Sequence, residues 1–265
     1  MRERPRRWTR LGLGAALLGA AGLAACGGAG GDAGETAEIA SAGIQPETGD
    51  ISEGEGGDTS YGVATAEGVR LLSAEKRVAF MSGQVEAGLA LYRAGQAEQA
   101  AVHLLQPVSS LNASERGGLD ALGFKPDAFT RVSTAVEAGV PSEEIEPLLA
   151  AAEENITLLQ QNAGGRATDL ALFLMDVCAE EYQAGVLDSE IIRLNAYQNA
   201  YGFAVAARDY ASRIEGTDTA ALRLELELLV RMWPNDGPVE AAAVAPVATI
   251  AAQIARVKLE LSMLE

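Results

Sequence analysis

The chain holds one histidine, and its neighbours are amides. His103 shares a helical face with Gln99 and Gln106, at steps of four and three, and Gln84 lies one helix earlier, where a hairpin would bring it across. An imidazole in that company is either a hydrogen-bonded structural group or a lone ligand to a metal or haem. Amides are poor ligands for soft or borderline metals, so the residue types favour the structural role and leave the ligand as the alternative. A second concentration of polar chemistry follows. Tyr182, Tyr197, Tyr201 and Tyr210 fall within 29 residues, interleaved with Asn195, Gln198 and Asn199. Amides and hydroxyls on a helix predict bonding between helices, with a ligand pocket served by Tyr197 and Tyr201 as the alternative.

Carboxylates supply the third candidate. Asp169, Asp176 and Glu180 recur at steps of seven and four, within about 40° of arc on one helix, opposite Leu174 and Cys178. That pattern predicts a solvated face, and the adjacent Glu180-Glu181 and Glu153-Glu154 read the same way. Calcium takes oxygen ligands, but no EF-hand loop is present. Cys178, between Val177 and Ala179, reads as a buried inert thiol. One His and two Cys exclude a multi-histidine metal site and a four-cysteine zinc site. Phosphate loops, dinucleotide fingerprints, G-x-S-x-G and H-E-x-x-H are all lacking, and no nucleophile–base pair can be assembled around His103. No catalytic residue is assigned, and no cofactor is expected unless His103 holds a metal or haem.

The elements that must carry these residues are helical. Ser73 caps a helix whose apolar positions run Val78, Met81, Val85, Leu89, Tyr92 and which closes at Gly95. A second runs from Gln96 to about Gln106 and stops at Pro107. Asn112 with Glu115 has the capping-box pattern of a short helix ending near Gly123. Pro126 opens a helix through Phe129, Val132 and Val136, and Ser142 opens a longer one to Gly164-Gly165. Another spans Arg166 to Ala184, Asp188 caps the next through Ile192, Tyr201 and Val205 to Ile214, and Thr217 or Asp218 starts one ending at Trp233. The last carries Val247, Ile250, Ile254, Val257, Leu261 and Leu264, fewer than three heptads, which predicts a docked terminal helix ahead of a coiled-coil dimer. No alternating segment is long enough for a strand. The expected fold is all-α, a bundle or helical-hairpin stack of eight or nine helices in one domain over 65–265.

Gly88, Tyr92, Gly95, Ala100 and Leu104 have the spacing of a helix–turn–helix pair, and the stretch 83–108 resembles one tetratricopeptide unit. Pro107 stands where that family usually has alanine, and a 34-residue step from Gly88 reaches Leu122, so no repeat follows. The same hairpin resembles exported helical proteins that have histidines at the positions of Gln84 and Gln106, an arrangement suited to metal or haem.

The N-terminus is organised differently. Arg2, Arg4, Arg6, Arg7 and Arg10 precede an apolar run, Leu11 to Ala25, which is too short to span a bilayer and ends at Cys26. This is the three-part layout of a secretory signal over 1–25. Leu23-Ala24-Ala25-Cys26 resembles the lipobox of bacterial lipoproteins. The resemblance implies a diacylglycerol on the Cys26 sulfur, cleavage before Cys26, and fatty acyl chains such as palmitate that hold the protein on a membrane. Residues 26–64 then read as a disordered linker. From 27 to 69 there is no basic residue, nine are acidic, glycines recur, and large apolar residues are too few to offset ordering entropy.

Charge narrows the partners. The net charge is −17, and removing residues 1–25, with five Arg and one Glu, leaves 15 basic and 36 acidic residues, or −21. Such a body repels phosphate backbones, so nucleic acid is not an expected partner, and anionic lipid would not hold it without acyl chains. Gly27-Gly28 lacks the aspartate that in enterobacterial lipoproteins goes with inner-membrane retention, so the resemblance favours an outer membrane facing the periplasm in a cell with two membranes. The expected function is that of a non-catalytic envelope lipoprotein whose helical body binds or scaffolds an envelope protein. The alternative is a ligand-binding lipoprotein using His103 or the tyrosine–amide group.

Overall fold

Four-residue and three-residue apolar steps recur along most of the body, and in the computed structural model they form helices. The structure describes residues 69, 71–109, 116–215, 218–234 and 237–264, all within the compact unit Gly54–Glu265. The signal, the Cys26 lipobox, the linker and the Asn112–Glu115 pair lie outside the described residues. The order is α1 (Ala74–Arg93), α2 (Ala97–Leu105), a 3₁₀ turn (Gln106–Val108), a second 3₁₀ turn (Leu119–Leu122), α3 (Pro126–Glu137), α4 (Ser142–Ala163), α5 (Ala167–Gly185), strands β1 (Val186–Leu187) and β2 (Glu190–Ile191), α6 (Leu194–Ala211), α7 (Ala220–Val230) and α8 (Val247–Ser262). Among the described residues the fold is all-α with eight α-helices, as the periodicity predicts.

Two apolar clusters divide the interior. Val78, Met81, Val85 and Leu89 of α1 pack with α2, α3 and α4. Ala79 and Phe80, on another side of α1, join α5, α6, α7 and α8. Helix α1 thus belongs to both clusters, and its crossing with α6 sits at their junction. Glycines let the two helices approach closely at that crossing. A Cβ on Gly202 would collide with the Gly83 carbonyl oxygen and come within 2.8 Å of the Ala87 nitrogen, while one on Gly83 would enter the Phe203 ring. The α1–α2 hairpin makes a similar approach at Gly88, where a Cβ would meet Leu104 at 2.9 Å, which accounts for the small residue in that spacing. In α8, Ile250, Ile254, Val257 and Leu261 are buried with the cluster that holds α5 and α7, so the C-terminal seam docks inside the chain.

Three details differ from the sequence-based reading. Asp188 does not cap a helix. It and Ser189 have φ of 49° and 66° and form the turn of a short antiparallel hairpin, Val186 opposite Ile191. Positive φ at both central residues is what a two-residue mirror-image turn requires, and Asp tolerates it. Helix α6 starts later, at Leu194 after Arg193, and the strands are only two residues long, too short to leave an alternating signature. Ser73 occupies the N-cap position of α1, but its hydroxyl donates to the Glu75 carboxylate at 2.6 Å instead of capping the backbone. Asp218, in contrast, accepts the Ala220 amide at 3.0 Å ahead of α7.

Candidate functional site

Helices α2 and α6 bring the two amide-rich groups together. His103 is 1% exposed. Its Nε2 donates to Gln198 Oε1 at 2.9 Å, and Gln198 Nε2 donates to Gln99 Oε1 at 2.6 Å. One turn further, Gln106 Nε2 donates to Asn195 Oδ1 at 3.1 Å. Gln99, His103 and Gln106 therefore do share a face, and that face meets α6. Gln84 is buried on α1; the bonds of His103 run to α6, whose role opposite α2 the sequence spacing did not reveal. Because α2 belongs to one apolar cluster and α6 to the other, this polar layer crosses the junction between them.

A further member was missed. Glu181 of α5, read from sequence as part of a solvated face, is 9% exposed. Burial pushes its carboxyl up to about 7, against a hydrogen bond from Asn199 and the charge of Arg193. The signal for its burial was present. Leu174, Cys178 and Glu181 fall at steps of four and three, so Glu181 continues the apolar face of α5. Asn199 touches both groups, bonding the Glu181 carboxylate and lying beside the His103 ring. Desolvation holds the His103 imidazole below its usual value, and the Gln198 and Asn199 amides oppose that shift. At neutral pH the imidazole is uncharged with its proton on Nε2, the state its bond to Gln198 requires.

The tyrosine group divides. Tyr182, Tyr197 and Tyr201 surround Trp233, with ring centroids 5.3, 6.2 and 5.6 Å from it. Tyr182 donates to the Ala245 carbonyl at 2.7 Å, and Trp233 Nε1 reaches the Tyr197 carbonyl at 3.4 Å. The Tyr197 hydroxyl is buried without a partner. Tyr210 lies elsewhere on α6, under the Arg213 guanidinium at 5.0 Å. The rings of Tyr197 and Tyr201 fill core volume and wall no cavity among the clefts described below.

The remaining candidates behave as surface or inert groups. Asp169 is exposed, and Asp176, half-buried, pairs with Lys258 of α8. Cys178 is fully buried, its Sγ 3.2 Å from the Ala200 carbonyl, and burial raises its thiol far above the ordinary range, which leaves it unreactive. No cluster of three or more His, Cys, Asp or Glu that could hold a metal occurs among the described residues. Four surface clefts of about 330 to 530 Å³ are lined by none of Gln84, His103, Gln106, Tyr197 or Tyr201. No helix among the described residues is long and apolar enough to cross a membrane. No protein-family model matches the chain, and no curated protein or solved structure matches it.

Proposed function

We propose that the chain is a lipid-anchored protein of the bacterial cell envelope whose helical body acts by binding an envelope protein, as a scaffold and without catalysis. Placement rests on Leu23-Ala24-Ala25-Cys26 behind the arginine-rich, apolar leader. Two or three acyl chains meet the requirement for stable anchoring, since each buried methylene contributes about 0.8 kcal/mol. In a cell with two membranes the protein faces the periplasm from the outer membrane. The observation that carries the binding reading over the ligand reading is the bond between His103 and Gln198: the most ligand-like side chain is turned into a helix–helix contact, with its Nε2 proton already used. Surface chemistry then falls to clefts lined by mixed charges and short apolar stretches, which suit a protein face better than a small solute.

Two measurements test this. Cys26→Ser abolishes incorporation of labelled fatty acid and releases the protein from membrane fractions; unchanged labelling rejects the anchor. The purified full chain, assayed for bound metal, for visible absorbance and for a thermal shift with haemin, shows none of these, whereas crosslinking in cells yields a defined envelope protein. A stoichiometric metal or haem that His103→Ala removes would replace the scaffold reading with the ligand one.

A further inference from the structure

Glu98, Val102 and Leu105 follow one another at steps of four and three on α2, on the side away from buried Ala100 and Leu104. An outer helix face is ordinarily polar, yet Val102 is 58% and Leu105 41% exposed. A β-branched residue also forms helix less readily, so Val102 serves neither the core nor the helix that carries it. Beside this face runs α3. The Ser133 hydroxyl donates to the Ala101 carbonyl at 2.8 Å and ties the two helices together at that point. Ala101, Val102, Leu105 and Ser133 line a cleft of about 410 Å³ between α2 and α3, and Glu98 and Glu137 complete its wall.

Neither carboxylate has an ion pair among the described residues. Glu98 lies in the first turn of α2, where the helix dipole favours an anion. Glu137 is placed the other way. It is the last residue of α3, whose last turn holds no basic residue, so the dipole there opposes its charge and favours a cation. The exposed apolar pair and the ill-placed anion lack different things, and one kind of partner supplies both. A large apolar side chain covers Val102 and Leu105, while a lysine or arginine answers Glu137 and Glu98. The field of the whole chain acts in the same sense, since a net charge of −17 attracts a cationic partner and repels a second copy. Anionic lipid is repelled as well.

We propose that the α2–α3 cleft is the docking site for a basic amphipathic helix of a protein partner, which lays its apolar face on Val102 and Leu105 and its cations on Glu98 and Glu137. This rests on the reading of the body as a protein-binding module, and it names the place and the chemistry of that binding. The mode is a helix laid in a groove, recognised by anchors at steps of three and four. Helix α2 has nine residues and is about 13 Å long, so the contact covers two to three turns of the partner. So short a contact leans on its charges, and salt weakens it.

The probe is a synthetic leucine–lysine peptide of about 18 residues with its leucines at steps of three and four; a second peptide of the same composition scatters them over every side. Fluorescence anisotropy follows the binding of each to the full chain in micelles of an uncharged detergent, with uptake by empty micelles subtracted. The first peptide binds, and Val102→Ser weakens it about tenfold. Glu98→Gln combined with Glu137→Gln weakens it about tenfold at about 50 mM salt, a difference that closes near about 500 mM. Glu143→Gln combined with Glu144→Gln removes as much charge from the start of α4 and changes binding by about twofold or less. All five side chains are exposed, so the core is untouched. Equal binding of the scattered peptide overturns the proposal on the unaltered chain. So does equal weakening by the α4 pair, which would reduce the attraction to general charge. Self-association that Val102→Ser abolishes would give the cleft to a second copy instead. If cells carrying Val102→Ser still yield the crosslinked envelope protein undiminished, the cleft falls while the protein-binding reading stands; with no crosslinked protein from the wild type, that reading falls and the cleft with it.

Discussion

Tyr197 illustrates how a buried polar atom can be dispensable. Its ring packs between Tyr182 and Trp233, but its hydroxyl has no partner. Removing an unsatisfied buried hydroxyl relieves a desolvation cost of about 1–3 kcal/mol and leaves the ring in place. Tyr197→Phe is therefore neutral or stabilising by about 1 kcal/mol in urea denaturation. A loss of comparable size would mean that the hydroxyl meets a partner in solution. His103 contrasts with it, since its Nε2 proton completes a bond on which Gln198 and Gln99 also depend. The imidazole and these two amides are one unit, and truncating His103 or Gln198 leaves another buried group unpaired.

Among the helices, α1 and α6 make the contact on which both apolar clusters lean. Where Gly202 meets the Gly83 carbonyl the backbones touch, and neither can shift without moving the rest of its helix. Gly202→Ala removes a helix-weakening glycine, a gain of about 1 kcal/mol in an isolated helix. Against that, overpacking against backbone costs about 1–3 kcal/mol and more where nothing flexible can yield. The collision wins, and Gly202→Ala lowers the urea midpoint by an amount equivalent to about 2 kcal/mol or more. An unchanged midpoint would show that the two helices sit further apart. Helix α8 is secured otherwise, through Ile250, Ile254, Val257 and Leu261, and also through Gln253, which donates to the Glu225 carbonyl and carboxylate of α7 at 2.9 and 2.7 Å. It is an integral part of the second cluster.

Across the molecule, buried carboxyls set an unusual dependence on pH. Glu181 and the half-buried Glu86 are both raised from 4.5 to about 7, chiefly by burial, with Asp209 adding to the rise at Glu86. A carboxyl whose folded pKa lies above its unfolded value contributes stability that is fully present below the unfolded value and lost as pH rises through the folded one. Both groups thus destabilise the fold progressively between about pH 4.5 and about pH 7. His103, held low, acts in the opposite direction: its contribution is complete above its unfolded pKa and lost as acid protonates the unfolded chain first. Two carboxyls outweigh one imidazole above about pH 6. The full chain therefore unfolds at lower urea at pH 8 than at pH 6, and Glu181→Gln narrows that difference. A midpoint that rises with pH across the same interval would contradict the burial of both groups.

Helix periodicity, breaking residues and charge were legible along the chain, because they are local. Steps of three and four named most of the buried positions, Gly and Pro marked most ends, and the Val247–Leu264 seam announced a docked helix. The hairpin at Asp188-Ser189 was hidden because a two-residue turn with positive φ carries a weak local signal when glycine is absent. His103, Gln99 and Gln106 were recognisable as one face, and Gln198 and Asn199 as amides needing partners, but their meeting was not, since it depends on which face of α6 is turned to α2. That orientation follows from the glycines that let α1 and α6 touch. Glu181 shows the limit most clearly: a carboxylate on an apolar face reads as a solvated edge until a second helix covers it, and only three-dimensional packing supplies the cover, the Asn199 bond and the raised pKa that come with it.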